Sequence, residues 1–285
     1  MGSKLRLTSG MEGEESVNSP RRLITVRHGE RMDLAFGDWI RSCFDKQGKY
    51  SPKDLNHPRR IIDRPPRAYL NDSPLTPIGE FQGFLFGQAL SDPAIEINHV
   101  FCSPALRCLQ TCHNILKGSG LNETLAVNIE PGLFEYLGDH VNILPTWLSP
   151  KEAAAGTGMN INLDYVPSII SQDLLNLHIN ESHTDYYSRC HTIVQNIISS
   201  TNSGNILIVA HASSLDSCTR MLIGKELPNW NSFQQHVGRI PYLAHSNCLL
   251  NKSGKWEMIK PMFPGVTISL NQRFDYPSAW SMLPQ

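Results

Sequence analysis

At 285 residues the chain is long enough to bury a full core, as one large domain or two small ones. Hydrophobic residues at 40% and charged residues at 18% are a globular balance, and a net charge of −1 gives no bulk attraction to nucleic acid or a membrane surface. No apolar run approaches the ~18 residues of a membrane span. Nor does an apolar segment follow Met1 as a secretory signal would require, so a cytoplasmic protein is expected, with the nucleus open. Seven cysteines at irregular spacing lack the paired short spacings of a zinc site; reduced, buried thiols and no metal are expected.

Residues 1–20 are polar and aperiodic and read as a disordered tail. Leu23-Ile24-Thr25-Val26 is rich in β-branched residues and reads as a buried strand ending at Arg27-His28-Gly29. The pattern then turns helical through Met32, Phe36 and Ile40. Residues 47–73 carry Pro, Asn, Asp and four arginines (Arg59, Arg60, Arg64, Arg67) and read as a long excursion. Thr76-Pro77 opens a helix with Thr as N-cap and Pro at the first helical position; Ile78, Phe81, Leu85 and Ala89 are expected to form its buried face.

A second strand is expected over Ile97–Cys102, ending at Ser103-Pro104, and the next helix carries Leu106, Leu109 and Leu116. Residues 126–129 make a third, short strand before Pro131-Gly132-Leu133-Phe134-Glu135. Residues 138–181 are irregular and read as an inserted lid over the sheet. An amphipathic helix follows through Tyr186, Cys190, Val194 and Ile197. The strand Ile206-Leu207-Ile208-Val209 ends on His211, and Ser213 or Ser214 starts another helix that stops near Gly224. Lys252-Ser253-Gly254 marks a hairpin between two short strands. Strands alternating with helices favour an α/β three-layer sandwich with a largely parallel central sheet, residues 21–285 forming one catalytic domain with insertions at 47–73 and 138–181.

Two strands end in histidine (His28, His211), a third is followed closely by Arg107 and a fourth by Glu135. In a parallel sheet these groups gather at the C-terminal edge, where open α/β sheets build their sites. A phosphoryl group in transfer spreads charge over three oxygens, and guanidinium forks match that geometry. Arg27, Arg31 and Arg107 can supply the forks. A neutral imidazole, His28, can attack phosphorus, His211 can donate to a non-bridging oxygen, and Glu135 can protonate the leaving group, with Asp139 as its reserve. Competing chemistries lack their motifs. Cys102 precedes Arg107 by one residue too few for a C-x5-R loop, and no G-x-S-x-G, P-loop, G-x-G-x-x-G or H-E-x-x-H occurs.

The blocks Arg27-His28-Gly29, Ser103 to Thr111, Glu130 to Glu135 and Ile208 to Asp216 resemble the histidine phosphatase superfamily, which includes the cofactor-dependent phosphoglycerate mutases. The longer run Arg27-His28-Gly29-Glu30-Arg31, with Asp33 and Phe36-Gly37, is similar to one branch, the TULA (ubiquitin-associated and SH3 domain-containing) phosphatases and the insect ecdysteroid-phosphate phosphatases. The resemblance implies a phosphoglycerate mutase-like fold and a phosphorylated His28. It places Arg27, Arg31, Arg107, His211 and Ala212 around the phosphate, makes Glu135 the proton donor, requires no cofactor, and implies a homodimer. Tyr136 stands where close relatives often have tryptophan, and residues 137–181 depart from the branch, so substrate choice is expected to lie there. A phosphotyrosyl protein is the first expected substrate and a small apolar phosphate such as a steroid phosphate the alternative. Phosphoglycerate mutase activity and an inactive binding role are the further readings.

Overall fold

The computed structural model describes residues 21–92, 95–140, 145–177 and 181–266. The expected tail over 1–20 lies outside them, as does the side chain of Asp139. Among the described residues six strands form one sheet: β1 (Arg22–Arg27), β2 (Ile97–Cys102), β3 (Val127–Ile129), β4 (Asn205–Ala210), β5 (His245–Leu250) and β6 (Trp256–Ile259), in the order β3-β2-β4-β1-β5-β6. The first four in that order run parallel, and β5 and β6 are antiparallel additions, the second through the expected hairpin. Helices are α1 (Met32–Phe36), α2 (Trp39–Cys43), α3 (Pro77–Leu90), α4 (Leu106–Ser119), α5 (Pro150–Thr157), α6 (Ser171–Leu177), α7 (His183–Ser200), α8 (Ser214–Ser217) and α9 (Trp230–Val237).

Alternation along the strands builds two cores. Ile24, Val26, Leu207 and Val209 face one side with Leu109, Cys112 and Leu116 of α4. Leu23, Ile206, Ile208 and Ala210 face the other with Tyr186, Cys190 and Val194 of α7. Because side chains alternate along a strand with period two, each apolar run feeds both faces, which makes the sandwich three-layered. All seven cysteines are buried and unbridged. No described helix is long and apolar enough to cross a membrane.

Three readings of the sequence are corrected here. The helix expected to run from Ser213 or Ser214 to near Gly224 ends at Ser217 and continues as turns. The helix expected from Met32 to Ile40 is broken at Gly37, whose φ of +60° admits no α-helical continuation. In α3 the cap is as expected, with Thr76 Oγ1 accepting from Gly79 N–H at 3.0 Å, but the buried face is a different one. Gly83, Phe86, Gly87 and Leu90 face the core, while Ile78 and Phe81 are 45% and 59% exposed. A Cβ on Gly87 would stand 2.0 Å from Ile115 O, and one on Gly118 2.1 Å from Phe84 O. Backbone contact between α3 and α4 thus outweighs the apolar stripe.

Both long excursions are anchored through their described residues. Residues 32–73 enclose a small core of Met32, Trp39, Cys43 and Tyr69 with Leu106. Arg64 stacks 4.1 Å above the Tyr69 ring and donates to the buried Asp72 carboxylate, whose Oδ1 accepts from Leu106 N–H at the start of α4. Arg59, Arg60 and Arg67 are exposed. In the second excursion Ile161 bridges Val127, so residues 145–177 cover the edge of the sheet beside β3. The buried Glu130 carboxylate holds them there, accepting from Tyr165 O–H and Ser168 N–H at 2.7 Å each.

Candidate active site

Parallel pairing puts the C-terminal ends of β1, β2, β3 and β4 on one edge. In register, Arg27 lies beside Ala210, and His28 N–H donates to Ala210 O at 3.0 Å. The two strand-end imidazoles meet edge to face with centroids 5.7 Å apart. Both are buried.

His28 Nδ1 stands 2.9 Å from Gly29 O. A carbonyl only accepts, so the proton sits on Nδ1 and Nε2 carries the lone pair. Burial first, then the charges of Arg107 and Arg27, push the His28 pKa well below the ordinary histidine value. The ring is therefore neutral at pH 7.

Gly29 is required by a close crossing of chains. A Cβ there would stand 2.5 Å from Gly79 O, and one on Gly79 would stand 2.2 Å from Glu30 O. Gly29 N–H donates to Thr111 Oγ1 at 2.9 Å, and that hydroxyl donates to Arg107 O at 2.7 Å, so the end of β1 and the first turn of α4 are fixed together. Glu30 is spent on structure, accepting from Asn56 at 2.9 Å and Thr76 at 2.7 Å.

Arg107 is fully buried, with Nη2 2.5 Å from Glu135 Oε1. His211 Nδ1 lies 3.2 Å from Glu135 Oε2 and Nε2 lies 2.8 Å from Ser103 Oγ. A carboxylate accepts, so Nδ1–H donates to Glu135 and Ser103 O–H donates to Nε2. Burial, only partly offset by Glu135, lowers the His211 pKa to about 4. Ala212 follows in the buried turn that leads to α8. Arg27 Nη1 donates to Ile240 O, and its guanidinium lies 4.3 Å from the Tyr242 ring centroid. Arg31 is forked onto Asp33, its Nε donating at 2.6 Å, yet its charge reaches both histidines.

At the site three guanidinium nitrogens, Nε of Arg27 and Nε and Nη1 of Arg107, are buried with no hydrogen-bond partner among the described residues. Such donors are costly unless an acceptor meets them. A cavity of about 870 Å3 bordered by Pro104, Trp147 and Tyr165 lies elsewhere, and none of the histidines or arginines of the site line it.

Sequence reasoning missed the residue that carries the Glu135 loop. Buried Arg189 on α7 donates to Gly132 O at 2.7 Å, Phe134 O at 3.0 Å and Glu135 O at 3.3 Å, and forks onto Glu181. The Glu181 carboxylate in turn accepts from Leu137 N–H at 2.8 Å. Only the amphipathic pattern of α7 is visible in sequence, and Arg189 falls outside its apolar stripe.

A sequence profile for the histidine phosphatase superfamily (branch 1) matches residues 67–251. The chain belongs to that superfamily. The matched span begins beyond β1, inside the first excursion, so Arg27 and His28 precede it. This histidine phosphatase superfamily member is 38% identical over 258 residues to the ecdysteroid-phosphate phosphatase of Drosophila melanogaster, covering 90% of this chain and 34% of the fly protein. It is 41% identical over 264 residues to human ubiquitin-associated and SH3 domain-containing protein B, covering 89% of this chain and 40% of the human one. The chain thus spans well under half the length of these curated relatives. Among solved structures, the Bombyx mori ecdysone phosphate phosphatase in complex with tungstate aligns with a TM-score of 0.77 and 29% identity, over 91% of this chain and 99% of that one. The phosphoglycerate mutase-like α/β sandwich expected from the sequence is the architecture observed.

Proposed function

We propose that the chain is a phosphomonoesterase working through a phosphohistidine at His28. The observation that carries this reading is the set of unmatched buried donors on Arg27 and Arg107 beside a neutral imidazole whose Nε2 holds a free lone pair. The chemistry of that set suits a tetrahedral oxyanion, and the silkworm relative is known with tungstate, an anion of that shape. In the first step His28 Nε2 forms a bond to phosphorus as the ester P–O bond breaks, and Glu135 gives its proton to the departing oxygen. Before that step the Glu135 carboxylate takes up a proton from solvent, favoured by the dianionic ester bound beside it, while Arg107 turns from Glu135 to the phosphate oxygens. His211 Nδ1–H, freed from Glu135, follows it, with Arg31 and Ala212 completing the cradle. In the second step water attacks phosphorus, Glu135 takes the water's proton, and the P–N bond breaks to release phosphate and neutral His28.

The substrate we favour is a phosphotyrosyl protein. The identity to the fly ecdysteroid-phosphate phosphatase favours a second reading, a small apolar phosphate ester. Both leaving groups are bulky and apolar. Turnover of phosphotyrosyl peptides against steroid phosphates at matched concentration separates them. The phosphohistidine is tested by quenching turnover of an ester labelled in its phosphoryl group: the protein-bound label is expected to be acid-labile and alkali-stable, and an acid-stable adduct refutes His28 as nucleophile.

We also propose that the exposed stripe of α3, Ile78 and Phe81 with Leu85, is where two copies meet as a homodimer. Light scattering of Phe81→Glu is expected to give a monomer where the unaltered chain gives a dimer.

A further inference from the structure

Because β5 runs antiparallel to β1, its beginning lies at the end where β1 delivers Arg27 and His28, with His245 paired to Val26. The loop before β5 is therefore part of the site's rim. It is tied to Arg27 twice: Arg27 N–H donates to Ala244 O at 3.0 Å, and Arg27 Nη1 donates to Ile240 O. Ala244 N–H donates to Pro241 O at 3.2 Å and closes a four-residue turn with Tyr242 and Leu243 at its centre.

Leu243 has φ +55°, a left-handed conformation that glycine adopts freely and leucine does not. Its side chain is fully buried among the residues of the β1–α4 core, which holds the backbone in place. Strain maintained by surrounding packing marks a position whose geometry is used. What the turn presents is Tyr242. Its ring lies 4.3 Å from the Arg27 guanidinium and 5.9 Å from the His28 ring at a 47° tilt. The charges of Arg27, Arg31, Glu30 and Asp33 all reach its phenol.

We infer that Tyr242 is a positioning residue that clamps the Arg27 guanidinium by a cation–π contact and so aims its unmatched Nε at the phosphate. The inference rests on the phosphatase reading and adds to it a residue outside the Arg-His-Gly signature. Arg27 has one nitrogen bound to Ile240 O and another with no partner among the described residues, and the ring on its face fixes which way that N–H points. The phenol hydroxyl has no part in the clamp, so the ring alone should suffice.

The probe is inorganic phosphate, measured by calorimetric titration without turnover and as a competitive inhibitor of aryl-phosphate hydrolysis. Tyr242→Leu is expected to weaken phosphate binding about three- to thirtyfold, the range of a partly desolvated cation–π contact, with the loss in kinetics falling on KM. Tyr242→Phe is expected to recover that affinity. In an Arg27→Met background, Tyr242→Leu is expected to cost nothing further, because the clamp has nothing to hold. Phosphate binding by Tyr242→Leu at the unaltered affinity overturns the inference. So does a Tyr242→Phe loss as large as the leucine variant's, or an undiminished loss in the Arg27→Met background. A parent protein that binds no phosphate overturns the phosphatase reading as well, which distinguishes the two failures. Tyr242 is half-buried at a rim, and an unchanged circular dichroism spectrum and melting temperature show that the leucine variant has folded.

Discussion

The ends of β1 and β4 lie side by side, run in the same direction and each present a buried histidine, yet their surroundings divide the labour. At the end of β1, His28 binds a backbone carbonyl through Nδ1 and lies in the field of Arg107, Arg27 and Arg31. At the end of β4, His211 has a carboxylate on one nitrogen and a hydroxyl on the other. One ring keeps a free lone pair; the other has both nitrogens spoken for. Position on the strand edge brought both imidazoles to the site, and their neighbours decide which can act as nucleophile.

The largest effect that sharpens this contrast is loss of His28. His28→Ala is expected to lower kcat by about 10^4-fold or more and to abolish the labelled intermediate. His211→Ala is expected to cost about 10^2- to 10^3-fold, the scale of one lost oxyanion donor, while a phosphoenzyme still forms. If the His211 variant forms no adduct and the His28 variant does, the roles are reversed. Glu135→Gln, on the β4 side of the contrast, is expected to slow alkyl phosphates by about 10^2-fold or more and 4-nitrophenyl phosphate far less, since an activated leaving group needs no proton. An equal loss for both esters would argue against a proton donor.

Arg189→Met acts one layer back. With the Glu135 loop released, kcat is expected to fall about tenfold, short of the loss on removing the carboxyl itself, and buried Glu181 left without its partner is expected to cost about 3 kcal/mol in denaturant titrations. An undiminished kcat would show that the loop holds itself. The remaining effect concerns acid stability and leaves turnover at neutral pH aside. His211 takes up its proton near pH 4 when folded and near 6.5 when unfolded, so between those values the unfolded chain binds more protons and stability falls as pH falls. The contribution of His211 over that window is about 3 kcal/mol, and thermal melts of His211→Gln should show a correspondingly flatter pH dependence. An unchanged slope would mean that His211 titrates normally in the fold.

Much of the β1–β4 edge was legible because strand ends announce themselves. β-branched runs stop abruptly at His28 and His211, and the helices that alternate with the strands favour a largely parallel sheet. What stayed hidden obeys rules that periodicity cannot express. The α3–α4 contact is made by glycines and backbone oxygens, so the apolar stripe Ile78, Phe81 and Leu85 pointed to the wrong face. The Arg189–Glu181 support joins polar residues from segments that look solvated, and its meaning depends on which backbone carbonyls lie nearby. Likewise Arg64, one of four arginines in a loop, differs from the other three by its contacts to Asp72, Tyr69 and Thr146. Tyr242 belongs to this group too, since an antiparallel return strand had to bring it beside Arg27.

The crossing of Gly29 with Gly79 bears on how this scaffold can be altered. Two peptide planes that touch leave no side chain to trim, so changing either glycine requires moving a whole strand end against a whole helix. The third letter of the Arg-His-Gly signature is thus a record of assembly, and the first two are its chemistry. A library meant to retarget this protein should leave positions 29 and 79 untouched and spend its diversity on the second excursion over residues 145–177.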